Sequence, residues 1–318
     1  MKNFININDI KDYNKSVDDC ISLKKSPYEL NYLGKNKTLG LLFFNPSLRT
    51  RISTEKAAKI LGMNVISMNF NNEGWNLECE DRVIMNSNKA EHIKDAARVV
   101  GQYCDIIGIR SFPSLINKTD DEKDIVINSF KKYANIPVIN LESSIYHPLQ
   151  ALADAVTIKE KVKKPKIVLS WAPHIKPLPH AVANSFINMA KKMNYDIKIT
   201  NPIGYNLNEN ITDGIEIINN QKEAFEGANL VYAKNWSSYD NYGKVLDIKD
   251  SWIIDDDKMN ITNNAKFMHC LPVRRNLVVS DSVIDSDNSL VVEQANNRVY
   301  SAQLILKNIL NEIWINNY

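Results

Sequence analysis

Short apolar runs rich in β-branched residues alternate with amphipathic stretches along the whole chain. The apolar runs predict strands at 39–44, 64–69, 105–110, 138–141, 166–171, 196–200, 230–233, 267–270 and 290–292. The amphipathic stretches predict helices that include 49–61, 91–100, 148–161, 181–193 and 293–317. Gly62 and Gly101 are expected to act as helix stops. This alternation predicts an α/β fold wound around parallel sheets.

The length of the chain indicates two domains, because 318 residues is about twice the usual ~150 residues of a domain. We expect two wound domains, each with a central parallel sheet, joined by inter-domain helices. No linker rich in Ser, Gly or Pro marks the boundary, which we place where a predicted strand gives way to a long helix. The predicted divisions are 1–147, 148–295, and a C-terminal helix at 296–318 that packs back on the first domain.

Composition excludes several classes of protein. A hydrophobic content of 44% and a charged content of 24% are globular values, which argues against disorder and coiled coil. The net charge of +2 comes without a basic cluster, so nucleic acid is not an expected partner. Apolar runs fall short of the ~20 residues that span a bilayer, and the first 14 residues contain no apolar signal segment. We therefore expect a soluble, unexported, cytoplasmic protein with no membrane partner.

Cysteine and glycine patterns narrow the chemistry further. The four cysteines, Cys20, Cys79, Cys104 and Cys270, form no C-x-x-C pair and no zinc spacing, which indicates reduced thiols. None of the 10 glycines falls into a dinucleotide-binding or P-loop motif. A dinucleotide-binding or P-loop function therefore has no motif to support it.

The first candidate site is the segment 45–51, Asn-Pro-Ser-Leu-Arg-Thr-Arg, between a predicted strand and a predicted helix. First-turn N–H groups of a helix are unpaired and the helix dipole is positive there, so this position suits an anion. Ser47 and Thr50 add hydroxyl donors, and Arg49 adds a planar fork that fits phosphate. The alternative is an ordinary helix cap with surface arginines.

A second segment, His147-Pro148-Leu149-Gln150, follows the predicted strand 138–141, where loops at the carboxyl ends of parallel strands collect ligands. A neutral histidine can donate to a carbonyl oxygen, and a glutamine offers both a donor and an acceptor to an amide-like group. His147 also fits a structural histidine before a helix that starts with proline. The segment is therefore either a ligand-binding turn or a purely structural one.

A third segment, 269–272 with the sequence His-Cys-Leu-Pro, ends another predicted strand. Cys270 alone is equally consistent with a small buried apolar residue. Arg110 ends the predicted strand 105–110, and Arg298 lies inside an otherwise apolar-periodic helix. Together these residues form a set of polar groups at strand ends and helix starts, which favours a functional site over isolated coincidences.

The three segments occur in the order and spacing of the aspartate and ornithine carbamoyltransferases, and the chain resembles that family over essentially its whole length. The form His-Cys-Leu-Pro resembles the ornithine branch. The resemblance implies a carbamoyl-phosphate-binding domain at 1–147 and an acceptor-binding domain at 148–295. The residues that it implies for carbamoyl phosphate are Ser47, Leu48, Arg49, Thr50, Trp75, Arg110, His147, Gln150, Cys270, Leu271 and Arg298.

The resemblance also implies a division of labour. Residues 47–50 would hold the phosphate, while Arg110 and His147 would polarise the carbonyl. The groups that would position the carbamoyl amino group are Gln150, Arg298 and the backbone carbonyls of Cys270 and Leu271. The four residues implied as catalytic are Arg110, His147, Cys270 and Arg298.

The reaction fits these residue types without further groups. Attack of an amine on the carbamoyl carbon needs fixed donors for an oxyanion and cations for the leaving phosphate, and neither demands a covalent enzyme intermediate. We therefore expect no cofactor and no metal, and Cys270 would contribute its carbonyl rather than a thiolate. Trp75, in the otherwise loop-like segment 71–75, resembles a tryptophan that acylornithine relatives donate to a neighbouring subunit's site, so a homotrimer with shared active sites is implied.

The acceptor follows from the segment 234–239, Lys-Asn-Trp-Ser-Ser-Tyr. Ordinary ornithine enzymes carry an aspartate where this chain has Lys234, and that aspartate pairs with the free α-ammonium of ornithine. A lysine would repel the ammonium but suits a carboxylate beside an acylated, uncharged nitrogen. The chain therefore resembles the acylornithine carbamoyltransferases, and the proline-rich segment 174–179 implies a knotted path in the second domain. The implied acylornithine-binding residues are Glu142, His174, Lys176, Lys234, Trp236, Leu271 and Arg274.

The acyl group is predicted to be succinyl. Acetyl-specific relatives have a functional lysine eight residues after the motif cysteine, whereas this chain has Val278 there. A succinyl carboxylate needs a cation, and Lys176 and Arg274 are available. Ala90 occupies a position that carries Glu in acetyl enzymes and Pro in succinyl ones, and it matches neither. The expected product is N-succinyl-L-citrulline, in arginine biosynthesis.

Three alternatives stay open on the sequence. One is an acetylornithine carbamoyltransferase, and a second is a non-catalytic binder of phosphorylated metabolites on the same scaffold. The second is disfavoured because Arg49, Thr50 and the other implied site residues are all retained. The third is a zinc site at His174, His180, His269 and Cys270, which lacks any recognised ligand spacing.

Overall fold

The computed structural model describes residues 1–316, and it divides the chain into two compact units. The first unit comprises Met1–Ser114, Thr119–Leu149 and the residues from Arg298 onward, and the second comprises Leu115–Lys118 and Gln150–Asn297. Positions 317 and 318, the last two of the C-terminal segment discussed above, lie outside the described residues. The predicted domain limits stay a prediction.

The regular elements are these, in chain order. The strands are β1 (Thr38–Phe43), β2 (Asn64–Asn69), β3 (Leu77–Glu78), β4 (Glu91–His92), β5 (Ile106–Arg110), β6 (Val138–Glu142), β7 (Lys166–Trp171), β8 (Asp196–Thr200), β9 (Glu216–Ile218), β10 (Leu230–Lys234) and β11 (Lys266–Met268). The helices are α1 (Tyr13–Lys25), α2 (Arg49–Ile60), α3 (Phe70–Glu73), α4 (Ile93–Tyr103), α5 (Lys118–Asp121), α6 (Ile125–Tyr133), α7 (Pro148–Lys161), α8 (Ala181–Lys192), α9 (Glu209–Thr212), α10 (Gln221–Phe225), α11 (Asp256–Met259), α12 (Asp281–Ile284) and α13 (Val291–Asn316).

Each unit is built on a central parallel sheet. The first sheet has the order β2-β1-β5-β6, and its inner strands β1 and β5 are almost entirely buried. Strands buried on both faces need continuous apolar sequence, which is why these runs do not alternate. The second sheet has the order β11-β10-β7-β8-β9, again with parallel neighbours throughout. The predicted α/β architecture with two parallel sheets is therefore confirmed, while the predicted knotted path stays a prediction.

The prediction of a strand at 290–292 is wrong. Only Ser289 forms a bridge, to Phe267 of β11, and Leu290 N–H donates to the Phe267 carbonyl. The chain then turns directly into α13, whose Gln294 N–H bonds back to Leu290 O. Three apolar residues are too few to distinguish a strand from a helix start, so the run was consistent with both.

Two further predictions need correction in the first unit. The predicted helix 91–100 begins only at Ile93, because Glu91 and His92 pair with β3 and the His92 side chain caps the helix by accepting from Lys94 N–H. The segment leading to Trp75 was read as a loop, but its first part forms the short helix α3. Local side-chain capping and pairing with a two-residue strand gave no periodic signal in the sequence.

Glycines have different roles in α2 and α4. Gly62 ends α2 with a φ of 83°, so its prediction as a helix stop is confirmed. Gly101 instead lies inside α4, and that prediction is wrong. A Cβ atom at Gly101 would lie 2.1 Å from the carbonyl oxygen of Ala134, which ends α6. The glycine therefore serves close packing of the two helices.

None of the described helices is long and apolar enough to cross a membrane.

The substitution Gly101→Ala tests this packing. In an ordinary helix interior the change stabilises by about 1 kcal/mol, because alanine has less conformational freedom in the unfolded chain. Here we expect the opposite sign, a loss of about 1–3 kcal/mol from overpacking against a backbone oxygen. Denaturant unfolding measures the difference, with Gln102→Ala on the exposed side of α4 as the matched control. An increase in stability for Gly101→Ala would contradict the packing argument.

Candidate functional site

Three strands of the first unit end at one edge of its sheet. Phe43 of β1 pairs with Arg110 of β5, and Arg110 pairs with Glu142 of β6 after a shift in register. Because the strands are parallel, their carboxyl ends lie side by side, and the segments that follow them share that edge. The strand ends therefore bring the 45–51 segment, Arg110 and Glu142 into one region of the first unit.

Arg298 connects this region to the C-terminal helix. Its Nη2 atom donates to Thr50 Oγ1 at 3.0 Å, and its Nη1 atom lies 3.1 Å from His147 Nε2. A guanidinium has donors only, so the imidazole must accept at Nε2 and carry its proton on Nδ1. All three side chains are buried. The structure therefore joins three predicted site residues that lie far apart in sequence.

Glu142 contributes a carboxylate beside Arg110 and His147. One of its carboxylate oxygens lies 3.3 Å from Arg110 Nη2 and 3.6 Å from His147 Nε2. The Arg110 guanidinium also lies over the Phe112 ring at 4.4 Å, and Asn45 holds the Phe112 backbone by accepting its N–H at 2.7 Å. Arg110, Glu142 and His147 are thus held together, as the strand ends predict.

The start of α2 differs from an ordinary capped helix. Its N-cap position is Leu48, which is exposed and whose side chain cannot accept a hydrogen bond, so the N-cap residue provides no side-chain cap. Ser47 and Arg49 are half-buried on either side of Leu48, while Arg51 forms an ion pair with Glu55. An uncapped first turn presents its N–H groups to a negatively charged ligand, which agrees with an anion site at this position.

The hydrogen bond of the Trp75 indole involves none of Thr50, His147 and Arg298. The residue is 56% exposed, and its indole Nε1 donates to Glu91 Oε2 at 2.9 Å. Within residues 1–316, no hydrogen bond joins it to Thr50, His147 or Arg298. Large aromatic rings with this exposure are frequent at protein interfaces.

The second unit repeats the strand-end arrangement. Lys234 is the last residue of β10, His174 follows the end of β7, and the turn 269–272 follows β11. Strands β7, β10 and β11 are parallel neighbours, so these three segments leave the same edge of the second sheet. The chain therefore gathers most of the predicted acceptor-binding residues at one sheet edge of the second unit.

A basic cluster, defined here as His174, Lys176, Lys234 and Arg274, lies at that edge. Arg274 Nε donates to His174 Nε2 at 3.2 Å, and His174 Nδ1 lies 3.0 Å from the Lys176 carbonyl. The neutral imidazole satisfies both contacts, by accepting at Nε2 and donating at Nδ1, which also lies 3.1 Å from the Lys176 backbone nitrogen. Burial lowers the pKa of His174, and the positive charges of Arg274, Lys234 and Lys176 lower it further.

The remaining predicted acceptor residues differ in exposure. Lys176 and Arg274 are exposed, whereas Lys234 is 9% exposed. Trp236 is fully buried, and its Nε1 donates to the Tyr205 carbonyl at 2.7 Å. Its indole N–H is therefore occupied by the backbone, and that donor is not open to a ligand.

The turn after β11 is held in an uncommon conformation. Leu271 has a φ of 54°, a left-handed value that costs a leucine about 1–2 kcal/mol, and the Leu271–Pro272 bond is cis. His269 supports the turn from within, because its Nδ1 accepts the Leu271 N–H at 2.9 Å. The backbone of Cys270 and Leu271 is thus fixed by a side chain of the same motif.

Histidines of the proposed zinc set have other partners. His180 Nε2 donates to the Ser237 carbonyl at 2.8 Å, and His269 Nδ1 is engaged with Leu271. Within residues 1–316, no three His, Cys, Asp or Glu side chains form a group that could hold a metal ion.

Polar residues that the sequence analysis did not select contact the predicted ones. Asp154 Oδ1 accepts from Gln150 Nε2 at 2.7 Å and from Gln294 Nε2 at 2.7 Å. Gln294 in turn accepts the His269 N–H at 3.1 Å. The pair Gln150 and Asp154 has the i, i+4 spacing of helical neighbours and was visible in the sequence. No sequence signal pointed to Gln294, which lies 140 residues from Asp154.

Comparison with known families identifies the family to which the chain belongs. Residues 2–160 match the family model described as the aspartate/ornithine carbamoyltransferase carbamoyl-P binding domain. Residues 179–309 match the Asp/Orn binding domain of the same family. The chain belongs to the aspartate/ornithine carbamoyltransferase family.

Individual relatives match nearly the whole chain. The N-succinylornithine carbamoyltransferase of Bacteroides fragilis strain 638R is 46% identical over 317 residues, covering 98% of this chain and 100% of the relative. The N-acetylornithine carbamoyltransferase of Xanthomonas campestris pv. campestris is 35% identical, covering 96% of this chain and 97% of the relative. A crystal structure of a glutamate-to-proline mutant of N-acetyl-L-ornithine transcarbamylase, complexed with carbamyl phosphate and N-succinyl-L-norvaline, superposes with a TM-score of 0.92. It is 34% identical and covers 97% of this chain and 100% of its own.

The titration of His174 tests the basic cluster. We expect a pKa below the ordinary histidine value in the native protein, and a rise toward that value in Arg274→Met, which removes one cation. Because the folded-state pKa is lowered, the stability contributed by neutral His174 is present above its ordinary pKa. That contribution is lost as the pH falls through the lowered value.

NMR of the histidine ring nitrogens during a pH titration measures this pKa. Arg275→Met is the matched control, because Arg275 pairs with Asp281 and Asp285 instead. An equal shift of the His174 pKa in both variants would contradict the assignment.

Proposed function

We propose that this protein transfers the carbamoyl group from carbamoyl phosphate to the δ-amino group of N-succinyl-L-ornithine, giving N-succinyl-L-citrulline and phosphate. The observation that carries the proposal is the 45–46% identity, over 98% of the chain, to two proteins named N-succinylornithine carbamoyltransferase. The buried Lys234 supports an acylated acceptor on independent, electrostatic grounds. The reaction serves arginine biosynthesis in this proposal.

Carbamoyl phosphate is bound through its phosphate by residues 47–50. The uncapped first turn of α2 offers backbone N–H groups, and Ser47, Arg49 and Thr50 add side-chain donors. The three phosphate oxygens gain charge as the bond to the carbamoyl group breaks. Fixed donors at this position therefore stabilise the leaving group more strongly in the transition state than in the bound substrate.

The carbamoyl carbon is activated by donors around its carbonyl oxygen. The δ-amino nitrogen forms a bond to this carbon, the carbonyl electrons move to oxygen, and a tetrahedral oxyanion results. Arg110, Arg298 and the Nδ1–H of His147 stabilise that oxyanion. The C–O bond to phosphate then breaks, the electron pair leaves with phosphate, and the amine proton is lost to phosphate or water. No covalent enzyme intermediate, cofactor or metal takes part in this sequence.

The carbamoyl amino group needs acceptors to hold its plane. We assign this role to Gln150 Oε1 and to the backbone carbonyls of Cys270 and Leu271. The contact of Gln150 Nε2 with Asp154 supports the assignment, because it leaves the carbonyl end of the amide facing away from that carboxylate. Cys270 acts through its backbone, so its thiol has no part in the reaction.

The acylornithine is recognised by charge. Its α-carboxylate and succinyl carboxylate are both anions, and the basic cluster supplies Lys176, Lys234 and Arg274 around a neutral His174. A free α-ammonium would meet the same cations and be repelled. Glu142, Trp236 and Leu271 complete the proposed acceptor contacts.

The succinyl group is favoured over acetyl by two positions. Val278 is a buried apolar residue where acetyl-specific relatives carry a lysine, so it offers no polar contact of that kind. Ala90 is exposed just before β4, and its N–H donates to the Asn76 carbonyl at 3.1 Å. Relatives of the acetyl type were crystallised with N-succinyl-L-norvaline after a glutamate was replaced by proline, alanine or serine. We equate that glutamate with Ala90, which makes a small residue there compatible with a succinyl ligand.

The functional assembly in this proposal is a cytoplasmic homotrimer with shared active sites. Trp75 is 56% exposed, and nearby along the chain Ile84 and Met85 are also exposed. An exposed indole in a segment that contains further exposed apolar residues suits contact with a second copy of the chain. In the trimer, Trp75 of one subunit contacts carbamoyl phosphate bound by the next.

Acceptor specificity is tested by phosphate release from carbamoyl phosphate with N-succinyl-L-ornithine, N-acetyl-L-ornithine and L-ornithine in parallel. We expect turnover with the succinyl compound and at least about 100-fold lower kcat/KM with free ornithine, equivalent to about 2.7 kcal/mol. Lys234→Asp should reduce this preference by about tenfold or more, because it replaces the repelling charge by an attracting one. Lys244→Asp, an exposed change of the same kind, is the control. Preferred turnover of free or acetylated ornithine would contradict the proposed acceptor.

The shared site is tested by mixing two variants of reduced activity. Trp75→Ala and Arg298→Ala each remove one contact to carbamoyl phosphate and should each lower kcat/KM at least about 10-fold. If one site combines Trp75 with Arg298 of another subunit, hybrid trimers contain some sites with both residues intact. Activity should therefore return after subunit exchange, which differently tagged chains and co-purification can verify. Exchange without any recovery of activity would refute the shared site.

A further inference from the structure

A single buried carboxylate in the second unit receives the amides of two glutamines. Asp154 Oδ1 accepts from Gln150 Nε2 and from Gln294 Nε2, each at 2.7 Å. Asp154 is 0% exposed, and both glutamines are 1% exposed. The Tyr232 phenol joins the group, with its oxygen 3.3 Å from Gln294 Nε2. Buried polar groups of this kind are restricted to the orientations in which their hydrogen bonds are made.

The carboxylate fixes which way the Gln150 amide faces. An ionised carboxylate only accepts, so the amide nitrogen must face Asp154, and the amide oxygen then faces away from it. The reverse orientation would place the amide oxygen against the carboxylate oxygen and cost a hydrogen bond in a buried site. The Gln150 Oε1 acceptor is therefore oriented by Asp154, one helical turn further along α7.

The same carboxylate orients the turn after β11 through Gln294. With its Nε2 on Asp154, Gln294 presents Oε1 to the His269 N–H at 3.1 Å. His269 Nδ1 then accepts the Leu271 N–H at 2.9 Å, inside a turn where Leu271 adopts a left-handed conformation. A chain of hydrogen bonds thus runs from Asp154 through Gln294 and His269 to the backbone of Cys270 and Leu271.

We propose that Asp154 and Gln294 are positioning residues that set the acceptors for the amino group of the carbamoyl donor. This inference rests on the proposed function, in which Gln150 Oε1 and the carbonyls of Cys270 and Leu271 receive that group. One carboxylate controls both acceptor sets, since it selects the orientation of Gln150 directly and that of the 269–272 turn through Gln294. The hydrogen bonds of Asp154 therefore contribute to recognition of the amino group and not of the phosphate.

Acetyl phosphate is the probe that separates amino-group recognition from phosphate binding. It carries a methyl group where carbamoyl phosphate carries NH₂, so it cannot donate to Gln150 or to the turn carbonyls, while its phosphate is unchanged. The ratio of the dissociation constants of acetyl phosphate and carbamoyl phosphate, measured by calorimetry without acceptor, therefore reports on the acceptors alone. A general loss of structure would weaken both ligands equally and leave the ratio unchanged.

The variants are Asp154→Asn and Gln294→Met, with Gln303→Met as the matched control. Asparagine can pair with either orientation of a glutamine amide, and methionine keeps the length of Gln294 without its polar atoms. Gln303 is an equally buried glutamine of α13 whose amide bonds the Pro27 carbonyl in the first unit, so its replacement should leave the ratio unchanged.

The native protein should bind carbamoyl phosphate more tightly than acetyl phosphate. Asp154→Asn and Gln294→Met should each lower that preference about tenfold, equivalent to about 1.4 kcal/mol. Acetyl phosphate affinity should stay within about twofold, since the phosphate contacts are untouched. An unchanged preference in both variants, or an equal loss for both ligands, overturns the positioning role. A native protein that neither prefers nor turns over carbamoyl phosphate would instead refute the proposed function itself.

Discussion

The buried guanidinium of Arg298 imposes a constraint on the whole first unit. A charged group out of contact with water costs several kcal/mol unless its donors are matched, and removing one partner of such a group is correspondingly damaging. Here Nη2 donates to Thr50 Oγ1 and Nη1 to His147 Nε2, and these partners belong to the first turn of α2 and to the turn before α7. The C-terminal helix, the first turn of α2 and His147 are consequently held by one side chain.

Both units place their candidate site residues by the same rule of sheet architecture. Parallel strands place their carboxyl ends, and the segments that follow, along one edge of each sheet. In the proposed reaction, that edge of the first unit presents donors to a phosphate and a carbonyl oxygen, with Glu142 as the acidic partner of Arg110. In the second unit it presents a basic cluster around a neutral His174, together with the backbone carbonyls of the 269–272 turn.

In the proposed function, acceptor choice depends on the sign of one charge at a strand end. Lys234 is largely buried as the last residue of β10, where bulk water screens its charge less than at the surface. An ammonium brought to such a position is repelled, whereas a carboxylate beside an uncharged acylated nitrogen is attracted. The proposed specificity therefore needs no remodelling of the fold, since the strand that carries Lys234 is set by the parallel sheet.

The sequence by itself determined the α/β architecture and most of its strands, because β7 contains an apolar, β-branched run and β8 alternates apolar and polar residues, and both patterns are typical of strands. It also determined the three motifs, whose order and spacing identify the family without coordinates. Segments of two or three residues could not be assigned from the sequence. The run at Leu290 is consistent with both a strand and a helix. The sequence predicts Gly101 as a helix stop, whereas the structure shows that it packs against the Ala134 carbonyl. Long-range partners were decided only by the tertiary structure. Arg298 meets Thr50 across 248 residues and Gln294 meets Asp154 across 140, and such pairings depend on how the sheets and helices pack rather than on any local pattern.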